Sequence, residues 1–424
     1  MTVVFALVTL FFLLLSGVPI AFSMGMTGLI FLYMIAGENI VAAVPQMMYV
    51  AIDSYLYIAI PLFLLASELM IRANVIDELI RVIEAWVGHW RGGLFTVSVV
   101  ACAFFAAITG SSSATAVAIG SILVPEMTRR GYDKRYAMGL IAVAGGLGIV
   151  IPPSIPLIVY GSIAQESVRD LFIAGIVPGL ILTVALIAAG IFLTRKDKVV
   201  LPVKTSLPER LSAAKSAVWV LLFPIIIAVG IYGGIFTPTE AAGVGAVYAY
   251  IIAKYVYKRL SFKDTVDVLV SSAGHSAMIL LIIAGATVFG YVLSFEMIPQ
   301  QITKAVLDAQ MHPLVFLLIV NILFIILGMF LDITSIILLT GPIIIPIALQ
   351  LGIDPVHFGI IFVINMELAL ITPPLGMNLF IISGIIKEKI AQVLKGALPF
   401  ALVQLLVLVL VILFPVLSLI LLNR

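Results

Sequence analysis

Residues 151–156 read Ile-Pro-Pro-Ser-Ile-Pro and residues 372–378 read Thr-Pro-Pro-Leu-Gly-Met-Asn, and each stretch interrupts a long apolar segment. Two consecutive prolines remove two backbone hydrogen-bond donors and disfavour helix in the residue before them. A helix that enters either stretch must therefore open, which frees carbonyl oxygens and exposes the N-terminus of the half-helix that follows. Because Pro152-Pro153 recurs as Pro373-Pro374, the chain carries the same break twice, and the separation of the two breaks defines a repeat offset.

The same repeat offset relates other motifs in the two halves of the chain. Val124-Pro125 recurs as Ile345-Pro346, and Gly131-Tyr132-Asp133 recurs as Gly352-Ile353-Asp354. The first Gly-Tyr-Asp is surrounded by basic residues that have no counterpart around Gly-Ile-Asp, namely Arg129, Arg130, Lys134 and Arg135. Corresponding loops that differ in positive charge indicate two units inserted in opposite directions, an arrangement typical of secondary transporters.

The composition predicts a polytopic helical membrane protein. Of 424 residues, 63% are hydrophobic and 10% are charged, whereas a soluble domain carries about 25% charge. Apolar stretches long enough to cross a bilayer recur from end to end. The single cysteine, Cys102, excludes an internal disulfide and a cysteine-based metal cluster. The first apolar run lacks a basic n-region and a small-residue cleavage site, so it is predicted to be a span rather than a signal peptide.

Two apolar segments, 93–128 and 313–349, are predicted to be re-entrant hairpins. Each has a polar interruption in its middle, Gly110-Ser111-Ser112-Ser113 in one and Asp332-Ile333-Thr334 in the other. A limb of roughly 16 residues rises about 24 Å, which falls short of a hydrocarbon core of about 30 Å. The remaining apolar segments are predicted to be spans at about 2–15, 18–35, 49–70, 136–163, 173–194, 217–236, 239–257, 272–294, 356–383 and 396–420.

The basic residues select the orientation of these spans. With the N-terminus outside, 20 of the 23 Lys and Arg residues fall on the cytoplasmic side, and only Arg169, Lys304 and Arg424 fall outside, as the positive-inside rule requires. Each half then has five spans and one hairpin. Because five is odd, the second half is inverted relative to the first, and both termini are predicted to be periplasmic.

The predicted organisation is a first repeat over 1–200, a cytoplasmic linker over 195–216 and a second, inverted repeat over 217–424. Two amphipathic segments, the arms at 71–91 and 295–312, are predicted to lie along the two membrane surfaces. The alternative is that each arm is a tilted extension of a neighbouring span. In chain order after its arm, each repeat has a hairpin, a broken span and a last span, which are 93–128, 136–163 and 173–194, then 313–349, 356–383 and 396–420.

The hairpin tips and the breaks are the candidate binding site, because polar groups at membrane depth are costly and usually have a task. Freed carbonyls and hydroxyls are hard oxygen ligands suited to Na⁺, and half-helix N-termini present N–H groups to a carboxylate. One such motif alone is explained more simply as a kink, but two matched pairs favour a site. The candidate sodium- and substrate-binding residues are Gly110, Ser111, Ser112, Ser113, Thr115, Ile151, Pro152, Pro153, Ser154, Gly328, Asp332, Thr334, Asn365, Glu367, Thr372, Pro373, Pro374, Gly376 and Asn378.

Two acidic residues and the histidines keep more than one interpretation. Glu367 is either a proton or ion site or a carboxylate that is hydrogen-bonded within the bundle to hold the second break. Asp332 is either functional or only the N-cap of the helix that follows. The histidines, at 89, 275, 312 and 357, show no metal-ligand spacing and are expected to be interfacial or structural. With no P-loop, HExxH or GxSxG motif and no basic aromatic patch, neither an enzyme nor nucleic-acid binding is expected.

Three stretches, 110–127, 148–156 and 365–378, resemble the large membrane subunit of tripartite ATP-independent periplasmic (TRAP) transporters. The resemblance covers essentially the whole chain, although Leu368-Ala369 stands where that family commonly has Ile-Gly. It implies an elevator-type transporter of the ion-transporter superfamily that imports organic acids, such as C4-dicarboxylates or sialic acid, with Na⁺ as the coupling ion. The hairpins and broken spans would form the moving transport domain, and the spans within 1–70 and 217–294, together with the arms, the scaffold.

The resemblance also implies partners and a location. The family's large subunit works with a small four-helix membrane subunit and a periplasmic substrate-binding protein, in the cytoplasmic (inner) membrane of bacteria or archaea and in contact with membrane lipid. The chain is too short to include the small subunit, so a separate polypeptide is expected. The alternatives are a self-sufficient Na⁺- or H⁺-coupled carboxylate carrier of the wider group, and a channel or intramembrane enzyme, which the inverted repeat disfavours.

Overall fold

A computed structural model describes residues 2–195, 197, 199–200, 202, 204–374 and 376–422. The topology expected for Lys196, Lys198 and Arg424 lies outside the described residues, as does part of the linker. Wherever the chain is described, its regular structure is helical and contains no strand. The prediction of an all-α protein is therefore confirmed.

The first half contains eleven α-helices within its described residues. Short helices α9 and α10 follow α8 where the first break lies, and a 3₁₀ turn over Tyr55–Ile58 leads into α4. The helices are α1 Thr2–Leu15, α2 Ile20–Ala36, α3 Glu38–Ile52, α4 Ala59–Arg72, α5 Val75–Val87, α6 Gly93–Thr109, α7 Ser112–Arg129, α8 Lys134–Ala144, α9 Leu147–Val150, α10 Ile155–Ala164 and α11 Val168–Thr194.

Among its described residues, the second half has a similar succession of elements, with three helices instead of four before its arm and one helix instead of two between its hairpin and its break. A π-helical segment, Ile252–Val256, extends α13, and a 3₁₀ turn, Ile420–Leu422, follows α21. The helices are α12 Leu207–Tyr232, α13 Pro238–Ile251, α14 Phe262–Phe295, α15 Ile298–Asp308, α16 Pro313–Gly328, α17 Ile333–Gln350, α18 Pro355–Leu370, α19 Met377–Ile386, α20 Ile390–Leu413 and α21 Val416–Leu419.

Several of these helices have the length and hydropathy of membrane spans, which supports a multi-pass membrane protein. Within the described ranges six stretches qualify outright, and a bent pair, Lys134–Val150 with Ile155–Ala164, makes a seventh. One of the six is α17, predicted as a hairpin limb, whose 18 residues rise about 27 Å. The six stretches are Tyr55–Arg72, Val168–Thr194, Leu207–Tyr232, Phe262–Phe295, Ile333–Gln350 and Ile390–Leu413.

The sequence repeat is also a repeat of local structure. Asp133 caps α8 by accepting a hydrogen bond from the Arg135 N–H at 2.8 Å, and Asp354 caps α18 by accepting one from the Val356 N–H at 2.8 Å. Both Pro-Pro peptide bonds, at 152–153 and 373–374, are cis. Positions related by the repeat offset therefore share helix caps and helix breaks as well as residue types.

The two predicted hairpins and broken spans form, and they interlock. Helix α6 packs against α7, and α16 packs against α17. The first broken span bends by 43° between α9 and α10. After each break the chain crosses to the other repeat, because α10 packs against α17 and α19 packs against α7.

The predicted span at 49–70 is wrong in its first part. Helix α3 ends at Ile52, and the stretch that could span a membrane is Tyr55–Arg72. The apolar run hides this break because only Asp53 and Ser54 interrupt it, and α3 itself was not predicted.

Two other spans begin ten residues before their predicted starts, α12 at Leu207 rather than 217 and α14 at Phe262 rather than 272. A capping box starts each helix. Glu209 accepts a hydrogen bond from the Ser206 N–H at 2.8 Å, and Asp264 accepts one from the Ser261 N–H at 3.0 Å. Such caps satisfy backbone donors at the first turn, so each helix extends beyond its apolar run. The stretch before α12 therefore ends at Ser206 instead of 216.

The two arms are separate helices that are shorter than predicted, α5 and α15. Each follows a residue in the left-handed backbone region, Asn74 with φ +48° and Met297 with φ +53°. The chain therefore turns before each arm and does not simply extend the preceding helix. The location of the arms at the membrane surfaces, and the division into scaffold and transport domain, stay predictions.

Candidate functional site

Both hairpin tips line one cavity of about 790 Å³. The first tip contributes Gly110, Ser111, Ser112 and Ser113, and the second contributes residues 332–334. Helix α7 starts at Ser112 and α17 starts at Ile333, so the N-termini of two hairpin limbs face the same space. The tips, which lie in different repeats and far apart in sequence, thus meet around a single cavity.

The first tip packs directly on the first break. Gly110 has φ +59°, and a Cβ at this position would lie 2.8 Å from the carbonyl oxygen of Pro153. A Cβ at Gly148 would lie 2.6 Å from the carbonyl oxygen of Ser111. Two glycines therefore allow the tip and the break to approach through backbone oxygens.

Two hydroxyl groups of the predicted site donate hydrogen bonds to backbone carbonyls within the packed tip and break. Thr115 is buried and donates a hydrogen bond through Oγ1 to the Ser111 carbonyl at 2.8 Å. Ser154 is buried, donates through Oγ to the Ile149 carbonyl at 2.7 Å, and caps α10. Neither residue is in the cavity lining. Their observed role is to hold the tip and the break in shape. Next to Ser154, Ile151 and Pro152 are half-buried and Pro153 is buried.

The second tip is organised by Asp332. Its carboxylate caps α17 by accepting hydrogen bonds from the Ser335 N–H at 3.2 Å and from the Ser335 hydroxyl. At the end of α16, a Cβ on Gly328 would lie 2.3 Å from Cβ of Ala369, so this tip also packs against the helix that leads to its break. Asp332 is therefore an N-cap whose side chain also reaches the cavity. Thr334, two residues on, is buried and also lines the cavity.

The second break is closed by short local hydrogen bonds. The Gly376 N–H donates to the carbonyl oxygen of Thr372 at 3.1 Å, and the Thr372 hydroxyl donates to the Leu368 carbonyl at 2.6 Å. Pro373 and Pro374 are exposed. The Thr372 hydroxyl is thus used within the break, and none of the described residues over 372–376 is in the cavity lining.

Asn378 lies just after the second break but contacts the first tip. Its side-chain N–H₂ group donates to Ser112 Oγ at 2.7 Å and to the carbonyl oxygen of Ala142 at 3.0 Å. Asn378 is fully buried and is not in the cavity lining. The structure therefore shows it as a link between the repeats.

Asn365 and Glu367 are buried away from the cavity lining. Asn365 donates hydrogen bonds to the backbone and side-chain oxygens of Asn321. Glu367 Oε2 accepts a hydrogen bond from Gln404 Nε2 at 2.7 Å, while Oε1 has no hydrogen-bond partner among the described residues. This geometry matches the interpretation of Glu367 as a carboxyl group held within the bundle.

One part of the cavity wall was missed in the sequence. It comes from α4 and α14, where Glu68 Oε1 lies 2.7 Å from His275 Nδ1 and accepts a hydrogen bond from Ser271 Oγ at 3.1 Å. Arg72 on the same wall pairs with Asp264 through its Nε at 3.0 Å. His275 was expected to be interfacial or structural, yet it lines the cavity. The available signal was Glu68, a carboxylate within an apolar span.

Comparisons with known proteins identify relatives along almost the whole chain. The profile of the family described as "Tripartite ATP-independent periplasmic transporter, DctM component" matches residues 7–417. The chain is 42% identical over 425 residues to the C4-dicarboxylate TRAP transporter large permease protein DctM of Rhodobacter capsulatus, covering 97% of this chain and 96% of that protein. It is 40% identical over 396 residues to the isethionate TRAP transporter permease protein DctMQ of Oleidesulfovibrio alaskensis, covering 93% of this chain and 62% of that protein.

A solved structure has a similar fold. The YdaH transporter of Alcanivorax borkumensis superimposes with a TM-score of 0.64 at 14% sequence identity, covering 89% of this chain and 88% of that one. The fold is that of an all-helical, multi-pass membrane protein with paired helical hairpins. The chain belongs to the DctM component family of tripartite ATP-independent periplasmic transporters. Both relatives are named as transporter permeases, which confirms the prediction that the protein is not an enzyme.

Proposed function

We propose that this chain is the transport subunit of a Na⁺-driven, binding-protein-dependent importer of small organic acids. The observation that carries the proposal is the meeting of both hairpin tips in one cavity, where α7 and α17 begin. Helix N-termini present N–H groups and positive dipole ends, which stabilise a carboxylate. The substrate carboxylate binds between the two tips in this proposal.

Sodium is proposed to bind where each tip meets its own break. At the first half-site the Ser111 and Pro153 carbonyl oxygens lie against Gly148 and Gly110, and the tip adds serine hydroxyls. At the second, the donors would come from the tip over 328–334 and the break over 372–376. Both donor sets consist of oxygen, which suits a hard cation such as Na⁺. Because Na⁺ moves with the substrate, it is cargo as well as coupling ion.

The relatives narrow the substrate class within this proposal. One is named for a C4-dicarboxylate and the other for isethionate, a small sulfonate. Both substrates are compact organic anions. Because the C4-dicarboxylate relative is 42% identical over nearly its full length, a C4-dicarboxylate is the first substrate to test.

The proposed mechanism is an elevator in which the hairpins and broken spans move against the scaffold. Both groups line the cavity, because its lining includes the two tips and residues of α4 and α14. A small membrane subunit and a periplasmic binding protein complete the transporter, located in the inner membrane with both termini periplasmic. Support for the small subunit comes from the DctMQ relative, of which the match covers only 62%.

The experiment is uptake of radiolabelled succinate into proteoliposomes that contain this chain, its small subunit and the binding protein. Uptake should saturate, require an inward Na⁺ gradient and stop when the binding protein is left out. Equal uptake with a K⁺ gradient would exclude sodium coupling. Uptake by this chain alone would favour the self-sufficient carrier, and linear, non-saturating flux would indicate a channel.

A further inference from the structure

We propose that Asn378 is a positioning residue that couples the second half-site to the first, so that Na⁺ binding at one raises Na⁺ affinity at the other. The inference rests on the proposed function, because it takes both half-sites as Na⁺ sites. The observation is the buried hydrogen bond from Asn378 Nδ2 to Ser112 Oγ at 2.7 Å, which joins residues of different repeats.

The local geometry makes Asn378 a link between three elements. It is the second residue of α19, the helix that follows the break at 372–376 directly. Its N–H₂ group bridges Ser112, at the start of α7, and the carbonyl oxygen of Ala142 on α8. Next to it, the sulfur of Met377 accepts a hydrogen bond from Ser113 Oγ at 3.2 Å. The start of α19 is therefore hydrogen-bonded to two residues of the first tip.

The repeat shows that packing alone does not require this hydrogen bond. At the repeat offset, the counterpart of Asn378 is Leu157 and the counterpart of Ser112 is Ile333. Helix α10 packs against α17 as α19 packs against α7, with a buried apolar residue at each of these positions. The fold thus accepts an apolar pair at one of two equivalent interfaces.

The amide also has an energetic cost. Asn378 Oδ1 is buried and has no hydrogen-bond partner among the residues that the structure describes, and burying an unpaired polar atom is unfavourable. A leucine would avoid this cost, as Leu157 does in the first repeat. The retained polar link is therefore best explained by its effect on Ser112, which lines the cavity.

The coupling follows from this placement. Sodium bound at 372–376 would hold the start of α19, and Asn378 would then hold Ser112 in one orientation at the first tip. Ordering one half-site before the other ion arrives lowers the cost of the second binding step, and such coupling is reciprocal.

The test uses the complete complex with its small subunit in lipid nanodiscs and measures hydrogen exchange of the backbone amides at 112–115 as Na⁺ replaces K⁺. In the wild type, protection should rise cooperatively with Na⁺, with a Hill coefficient above one. Asn378→Leu should give non-cooperative protection and raise the half-saturating Na⁺ concentration about ten-fold, within the usual range for coupled sites.

Asn321→Leu is the matched control, because Asn321 is a buried asparagine that contacts Asn365 and not the first tip. It should keep the wild-type Hill coefficient. If the leucine variant at 378 does not fold, Asn378→Ala removes the same donor. Cooperative protection in either variant at 378, or non-cooperative protection in the wild type, overturns the inference. Equal protection of the wild type in Na⁺ and in K⁺ overturns sodium binding itself. This outcome differs from a loss of coupling alone, because it is measured without any substitution.

Discussion

Glu367 lies against Gly146, the residue that occupies the equivalent position in the first repeat. A Cβ built on Gly146 would lie 2.9 Å from Glu367 Oε1 and 3.0 Å from its carboxyl carbon. The side chain of one repeat thus fills the space that a missing side chain leaves in the other. This contact joins α18 to the segment between α8 and α9, just before the first break opens after Val150.

Gly146→Ala should destabilise the protein, because the new methyl group collides with the Glu367 carboxyl group. Overpacking of this kind costs about 1–3 kcal/mol. Shortening the partner with Glu367→Ala should relieve the collision, so the double variant should be more stable than the sum of the two single effects. The thermal unfolding of the two single variants and the double variant in detergent measures this departure from additivity. Gly274→Ala, where a Cβ meets nothing within 4 Å, is the control, and strictly additive effects would contradict the contact.

Asp332→Asn and Asp332→Ala separate the capping role of this residue from its charge. Asparagine keeps an oxygen for the Ser335 N–H, whereas alanine removes the cap, a loss of about 1 kcal/mol. We expect Asp332→Asn to unfold near the wild-type temperature but to need more Na⁺ for half-maximal succinate uptake. Asp332→Ala should lose both stability and Na⁺ affinity. Wild-type Na⁺ dependence in the asparagine variant would show that Asp332 is only a cap.

Gly396→Ala should be among the most destabilising single-methyl changes in the chain. Helices α8 and α20 approach so closely that a Cβ on Gly396 would lie 1.8 Å from the Arg135 carbonyl oxygen. The backbones must separate to admit it, which breaks the packing between the two repeats. A fall in the midpoint of thermal unfolding, compared with Gly290→Ala at a position with open space, is the measurement. Equal midpoints would mean that α20 moves away at little cost.

The ion pair between Lys134 and Glu388 should make stability depend on pH. The Lys134 Nζ lies 2.6 Å from Glu388 Oε1, and this hydrogen bond lowers the pKa of the Glu388 carboxyl group. A folded-state pKa below the ordinary value of about 4.3 means that the pair stabilises the fold at neutral pH. That contribution is lost as the pH falls through the lowered pKa.

Lys134→Met should therefore lower the unfolding midpoint at pH 7, and the difference from the wild type should shrink as the pH falls below about 4.3. The effect should be small, because both side chains are more than a third exposed, at 39% and 35%, and water screens such pairs. Glu388→Gln should lower the unfolding midpoint at pH 7 by a similar amount. The double variant should lower it little further. A difference between Lys134→Met and wild type that does not change with pH would exclude the ion pair as its source.

The features that the sequence predicted are those that a few neighbouring residues impose. Pro152-Pro153 and Pro373-Pro374 open their helices whatever surrounds them, and the polar residues at 110–113 and 332–334 separate the hairpin limbs. The basic residues select an orientation in the same way, because each acts through its own charge, and that orientation stays a prediction. Helices α6 and α7, α16 and α17, and both broken spans follow from these local signals.

The missed features depend on residues far apart in sequence or on polar residues that start a helix. Ser261 and Asp264 form a cap, so α14 begins in a stretch whose polarity indicated a loop. Glu68 and His275 meet only because α4 packs against α14. Asn378 was assigned to its own break, and nothing near it in sequence indicated that it would bind Ser112 instead. Such contacts are decided by packing between repeats.

The crossing of α19 onto α7 has a consequence for biosynthesis. Ser112 receives its hydrogen bond from a residue 266 positions later, so the ribosome must complete most of the chain before the first hairpin tip obtains its partner. Insertion of the first half into the bilayer and completion of its fold are therefore separate events in time. A nascent chain that stops at the linker leaves α7 and α10 without α19 and α17, the helices that pack against them.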